Sequence, residues 1–154
     1  MAHGRLSVTA GRSAVEGPAE ESWQPGPRIV IELPPHPSSA GAARRRVDAA
    51  LRDWRCEGVR NAALVVTSEL VTNAIVHARS PFTVTVTRRP DAVRIEVSDR
   101  SAGRPILTAV GVDAAHGHGL QLVDRLSSDW STYRTDDGRK VVWGEVRLPQ
   151  PGDE

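Results

Sequence analysis

Residues 69–78 read ELVTNAIVHA, a stretch in which Glu69 and Asn73 stand four positions apart and so lie one above the other on a helix. At about 100° per residue, Leu70, Val71, Ala74, Ile75 and Ala78 share one broad face. Ala62, Val65, Val66 and Val76 surround Glu69 and Asn73 on the other. A helix that is apolar nearly all round belongs in an interior. A carboxylate in such a wall carries a desolvation penalty that a cation, a hydrogen-bond donor or solvent in a cleft must offset. From the helix alone two readings stay open: a structural ion pair with a distant arginine, or a site facing magnesium and phosphate.

Working outward, Gly58 breaks the pattern before a helix over Arg60–Ala78. Val47, Ala50, Leu51 and Trp54 recur at helical spacing in an earlier helix that ends near Arg55. Ser38 or Ser39 is placed to cap that helix, after a strand RIVIEL at 28–33 that Pro34, Pro35 and Pro37 stop. Downstream, Phe82, Val84 and Val86 alternate with Thr83, Thr85 and Thr87, and Val93, Ile95 and Val97 alternate with Arg94, Glu96 and Ser98. This period of two predicts strands. Arg89, Pro90 and Asp91 turn between them, so the pair is an antiparallel hairpin with one face on the helices, ending at Asp99. Residues 100–119 are rich in Gly, Ala, Ser and Pro with scattered His, too long for an economical connection and so functional or disordered. Leu120, Val123 and Leu126 predict a short amphipathic helix. Trp130–Thr135 and Val141–Leu148 predict a closing hairpin around Asp136, Asp137 and Gly138. Strand, two helices, hairpin, helix, hairpin is the element order of a two-layer α+β sandwich.

The 154 residues fit one domain, expected over 28–148, between an arm at 1–27 expected to be disordered and a loose tail at 149–154. Twenty basic against 19 acidic residues give a formal net charge of +1, so neither nucleic acid nor an anionic membrane is implied as a partner. Arg44, Arg45 and Arg46 read as a solvated helix face. The lone Cys56 excludes an intramolecular disulfide and any multi-cysteine metal site. No run approaches the roughly 18 apolar residues of a membrane span, and the first residues lack the apolar centre of a signal peptide. A cytoplasmic location is therefore expected. Lys140 is the only lysine among the 20 basic residues, a compositional bias to which the sequence attaches no role.

Three segments carry chemistry together: ELVTNA on a helix, SDRSAGRP (98–105) at the end of a strand and GHGL (117–120) opening a helix. In that order and at those positions they resemble the Bergerat ATP-binding fold of gyrase, Hsp90, histidine kinases and MutL. Within it, the similarity is to the stand-alone anti-sigma factor kinases of the actinobacterial type, over about Arg28 to Leu148. The Arg-containing first helix ending in a Trp and the closing strand with Val142 and Trp143 also fit. The resemblance implies a mixed, mostly antiparallel sheet covered on one face by about three helices, with ATP and Mg2+ as cofactors. It further implies Glu69 as general base, Asn73 as magnesium ligand and Asp99 as acceptor of a hydrogen bond from the adenine amino group. Gly103 would let backbone approach the base. Gly117, His118, Gly119 and Leu120 would cradle phosphate at a helix start, under a lid at 104–116 from which Arg104 adds an electrostatic contact. Two positions depart from the family pattern: Ser101 stands where it has a glycine, and Val141 where its last strand commonly has a threonine that joins the acid through water. His116, His118 and Asp113 lack a fourth ligand at transition-metal spacing, and His77 reads as structural.

Gyrase, MutL and Hsp90 relatives need long further domains, and a sensor kinase needs a helical dimerisation domain; the chain is expected to hold neither. The resemblance implies a serine/threonine protein kinase of the anti-sigma type. It would phosphorylate an anti-anti-sigma antagonist and bind a sigma factor in alternation, with homodimerisation open and no direct contact with nucleic acid or membrane. The alternative is a nucleotide-sensing protein-binding module without phosphoryl transfer, which Ser101 and Val141 favour and Glu69 opposes.

Overall fold

The computed structural model describes residues 26–100 and 117–153. In chain order the elements are β1 (Arg28–Leu33), α1 (Ser38–Asp53), a 3-10 turn (Glu57–Val59), α2 (Arg60–Ala78), β2 (Phe82–Arg88), β3 (Ala92–Asp99), α3 (Gly117–Leu126), β4 (Asp129–Arg134) and β5 (Lys140–Arg147). The strands form one sheet in the order β1-β2-β3-β5-β4, and every pairing among the described residues is antiparallel. The β2–β3 hairpin closes through Arg89 N–H to Ala92 C=O at 2.8 Å. The β4–β5 hairpin turns at Gly138, whose φ of 89° is strained for any residue with a Cβ.

Alternation along the strands divides the sheet into two faces. Val84 and Val86 of β2, Val93, Ile95 and Val97 of β3, and Val142 and Val146 of β5 join one buried cluster with Val47 and Leu51 of α1, Val66, Leu70 and Val71 of α2, and Leu120 and Val123 of α3. The sheet is thus roofed on that side by three helices, with α2 against α1, α3, β3 and β5. The opposite face carries the other register. There Arg94 sits 3.9 Å from the centroid of the Trp143 ring, donates to Glu96 at 2.7 Å and Glu145 at 3.2 Å, and Arg89 also pairs with Glu145. These pairs are partly solvated and contribute little stability.

Four local expectations change. Neither Ser38 nor Ser39 caps α1. His36 Nδ1 accepts from Ser38 N–H at 3.1 Å, while the Ser39 hydroxyl donates back to Pro34 C=O at 2.7 Å. Gly58 lies inside the 3-10 turn leading into α2 and is not a plain break. Helix α2 is not buried all round: Asn61 and Thr72 are exposed and Val76 is 37% exposed, because only one broad face meets the core. Helix α3 starts at Gly117, so Gly117, His118 and Gly119 form its first turn and do not precede it. At the other end, Gln150 and Asp153 close a short turn after β5, with Gln150 N–H donating to Asp153 Oδ2 at 2.7 Å. The Arg44, Arg45 and Arg46 triplet is exposed as expected.

At Gly144 of β5 the helix layer lies close over the sheet. A Cβ there would come within 3.0 Å of Ser127 Oγ, 3.4 Å of Val66 Cγ1 and 3.6 Å of Val123 Cγ1. A single methyl needs a shift of tenths of an ångström, and two more carbons have nowhere to go. Gly144→Val is therefore expected to destabilise the protein by about 1–3 kcal/mol, and Gly144→Ala by less. Urea denaturation midpoints test this: a valine variant as stable as the wild type would show that the layers are not seated on this glycine.

Candidate functional site

Asp99 is the last residue of β3 and keeps the inward register of Val93, Ile95 and Val97. Across the ladder its Cα partner is Lys140, the first residue of β5. Both side chains are 2% exposed, and Lys140 Nζ lies 3.7 Å from Asp99 Oδ2. Burial pushes the Lys140 ammonium below the usual lysine range; Asp99 opposes that shift and the Arg134 charge adds to it. Arg134 is the next residue along the same rung, opposite Lys140 on β4. A buried ion pair gains Coulomb energy in a low dielectric but loses both hydration shells, so its net contribution is small, while loss of one partner is costly. Thr132, also inward on β4, donates its hydroxyl to Val141 C=O at 2.9 Å.

Val141 does not share this setting. Its Cα partners are Ser98 and Tyr133, which places it in the outward register, on the face of the sheet away from the helices. The sequence reading set Val141 against Asp99 as the site of a lost polar contact. The structure puts them on opposite faces and gives the position beside Asp99 to Lys140. The sequence reading noted Lys140 only as the one lysine and gave it no role. Its signal is the inward period-two series Lys140, Val142, Gly144, Val146, which starts one residue earlier than the expected strand.

Glu69 and Asn73 both lie on α2 and are half-buried. The flank of α2 toward α1 is fixed by Arg44 Nη1, which donates to Ser68 Oγ at 3.2 Å. Glu69 is about 100° and Asn73 about 140° around the helix from Ser68, so both turn away from α1, on the side where α3 packs. The chain path locates that flank along the sheet. Only residues 79–81 separate the end of α2 from β2, and Thr83 pairs with Ser98, so the C-terminal end of α2 reaches the end of the strands that carries Asp99 and Lys140. Helix α3 finishes at the opposite end of the strands, where Ser128 N–H donates to Glu145 C=O at 2.8 Å. Its first turn, Gly117–Leu120, is the end remote from that anchor, and Leu120 is buried in the core.

The candidates therefore divide as follows. Glu69 and Asn73 share one flank of α2, Asp99 closes β3 on the same face of the sheet, and Gly117, His118, Gly119 and Leu120 open α3. Gly103 and Arg104, with Ser101, Asp113 and His116, lie outside the described residues. His77 is half-buried near the end of α2 and has an interaction partner. Cys56 is buried, with Sγ 3.5 Å from Trp54 C=O. Among the described residues there is no cluster of three or more His, Cys, Asp or Glu that could hold a metal ion, nor a helix long and apolar enough to cross a membrane. The hard oxygen donors on offer, one carboxamide and one carboxylate a turn apart, suit magnesium, which takes most of its remaining ligands from water and phosphate.

Comparison with protein families matches residues 33–144 to the histidine kinase-like ATPase domain. The chain belongs to that family. The five-stranded sheet under three helices is the architecture expected of its Bergerat fold. Among solved structures, the chain is similar to the crystal structure of the RsbU and RsbW domains of Rv1364c from Mycobacterium tuberculosis, with 24% identity and a TM-score of 0.55. That match covers 81% of this chain and 33% of the other, so the chain spans about a third of its length. Comparison with curated proteins returns no match.

The buried pair sets a stability signature. Lys140 titrates lower in the folded than in the unfolded protein, so between those two values the unfolded chain binds more protons and stability rises with pH. Lys140→Met removes that rise and leaves Asp99 without the ammonium, at an expected cost of roughly 3–5 kcal/mol. The gap between the two proteins should widen as pH rises toward the ordinary lysine value. Denaturation profiles that stay parallel over this range would show that the pair is not coupled to folding.

Proposed function

We propose that the protein is an ATP-dependent regulatory kinase of the anti-sigma type. It binds Mg2+ and ATP in the groove between α2 and α3 and transfers the terminal phosphoryl group to a serine or threonine of an antagonist protein. What supports this reading is the four-residue spacing of Glu69 and Asn73 on one flank of α2, a helix whose C-terminal end reaches the end of the sheet where Asp99 closes β3. Family membership supports nucleotide binding. The likeness to a structure containing an RsbW domain agrees with a regulatory setting, in which an anti-sigma factor alternates between a sigma factor and its antagonist.

In this mechanism Asp99 accepts from the adenine amino group, a discrimination that guanine fails because it presents a carbonyl there. The backbone N–H groups opening α3 point at phosphate oxygens, where a helix start favours negative charge. Asn73 supplies its carboxamide oxygen to the magnesium ion, which when bound offsets the charge on the phosphate oxygens. Glu69, one turn earlier, accepts the proton of the attacking hydroxyl as its oxygen bonds to the terminal phosphorus and ADP departs. Gly103 and Arg104 belong to the segment proposed to close over the nucleotide. The chain acts in the cytoplasm in this reading, on proteins and not on nucleic acid.

Two substitutions separate the roles. Asn73→Ala is expected to abolish magnesium-dependent ATP binding, whereas Glu69→Gln keeps binding and lowers phosphoryl transfer by about 100- to 10,000-fold. Calorimetry and transfer of labelled phosphate to candidate antagonist proteins read the two effects. Unchanged ATP affinity in the Asn73 variant would reject the metal role. Tight ATP binding by the wild type with no labelled partner would replace the kinase with a nucleotide sensor.

A further inference from the structure

We infer that the free edge of β1 is a self-complementary interface, on which a second copy of this chain adds its own β1 in antiparallel register about Val30. The inference is independent of the nucleotide site and of the phosphoryl transfer proposed for it.

Strand β1 ends the sheet: among the described residues it pairs with β2 alone. One bond shows which of its backbone groups are left over. Arg88 N–H donates to Pro27 C=O at 2.9 Å, and in an antiparallel ladder every second residue bonds to the same neighbour. Ile29, Ile31 and Leu33 therefore turn their N–H and C=O groups to β2, whereas Arg28, Val30 and Glu32 turn theirs to the free edge. The devices that blunt such an edge are missing from this one. Its register with β2 runs unbroken from Arg28 to Leu33, so there is no bulge, and neither proline nor lysine interrupts it. Pro27 and Pro34 bracket the strand and limit its length.

The side chains of the same three residues match a second set of themselves. They lie on the sheet face away from the helices, because Ile31 stands opposite Val84 of the core and successive residues alternate. Arg28 and Glu32 are exposed, and neither has a hydrogen-bond or ion-pair partner among the described residues. Val30 is 52% exposed, more than any other large apolar side chain described. In an antiparallel pairing about a two-fold axis at Val30, the two Val30 side chains face each other, and each Arg28 faces Glu32 of the other copy. Opposite charges and β-branched pairs set directly across a ladder both stabilise it. These three positions are also the ones whose backbone groups point to the edge, so they form hydrogen-bonded pairs and contribute about six backbone bonds. A slide of two residues either way would set Arg28 across from Val30 or from Pro34 and leave the charges unmatched. A slide of one residue would bring side chains of opposite faces together.

The other end strand, β4, offers no such match. Thr135 N–H donates to Arg139 C=O at 2.8 Å, so by the same alternation Trp130, Thr132 and Arg134 point to its free edge, and pairing about Thr132 would set Arg134 across from Trp130. At β1 the two-fold axis runs normal to the sheet. The assembly is then one sheet with five strands from each copy, with the helices of both copies on the same face.

The test is sedimentation velocity of the full chain over about 5–200 µM. The wild type is expected to pass from monomer to dimer within that range. Val30→Pro removes the central N–H from the free edge and leaves the bonds to β2 in place, so this variant should melt like the wild type yet stay monomeric throughout. If the proline variant does not fold, Val30→Lys replaces it with the same expectation. Arg28→Glu sets like charges across the axis and should weaken the dimer by about tenfold. Adding Glu32→Arg to it exchanges the two charges and should restore the dimer to within about threefold of the wild type. A wild type that is monomeric at the highest concentration overturns the inference, and protection of its Val30 amide from hydrogen exchange would then give the edge to another segment of the same chain. A dimer that survives the Val30 variants places the interface elsewhere and overturns it too. A dimer indifferent to Arg28→Glu, or not restored by the exchange, overturns the register.

Discussion

The helix layer has room to sit close on the sheet at Gly144 of β5 only while that position lacks a side chain, because Val66, Val123 and Ser127 surround the place a Cβ would take. Strand β5 is the second strand from the β4 edge, paired with both β3 and β4, so anything that lifts the helices there lifts them over the whole β3–β5–β4 half. The absence of a side chain at one position lets two helices share one contact. That contact places α2 and α3 side by side, and the Glu69 and Asn73 flank of α2 faces the direction of α3. A groove between helices needs its walls held at fixed spacing, and a glycine in a central strand supplies this by close approach.

Along the same face the sheet changes character from one end of the strands to the other. Val93, Ile95 and Val97 lead to Asp99, and Val146, Gly144 and Val142 lead to Lys140. An apolar floor therefore ends in two buried opposite charges. Replacing such a pair with well-packed hydrophobic residues costs little and can stabilise, so folding alone does not account for its presence. The ionic network on the other face, built on Arg94, Glu96, Glu145 and Trp143, is by contrast partly solvated. Its charges face water and need no counterpart to be tolerated.

Much of this was legible in the sequence. Threonine–valine alternation placed β2 and β3, the Asp136–Asp137–Gly138 cluster placed the last turn, and the α2 boundaries at Arg60 and Ala78 follow directly from the apolar period and the flanking Gly and Pro. The motif segments led to the right family because each fixed both a residue type and a position on an element. What the sequence hid was tertiary. The N-cap residue of α1 is Pro37, which has no side chain to cap with, and His36 Nδ1 outside the helix accepts from Ser38 N–H instead. The partial exposure of α2 follows from having a core on only one side, which a helical wheel that is apolar all round does not reveal. The partner of Asp99 depends on strand register, and with a period of two a one-residue difference in where β5 begins exchanges Val141 for Lys140.

That exchange alters how the departure at position 141 is read. A valine in the inward register would remove a polar neighbour from Asp99 and leave a buried carboxylate facing hydrocarbon. In the outward register it packs against the far side of the sheet and takes nothing from Asp99, whose neighbour across the ladder is a cation. A water-bridged threonine and a buried ammonium both satisfy an acid, but differently. The first offers a neutral donor whose strength depends on an ordered water; the second offers a full charge at ion-pair distance. Strand register therefore assigns the two positions different work: 140 sets the neighbour of Asp99, and 141 belongs to the opposite face of β5.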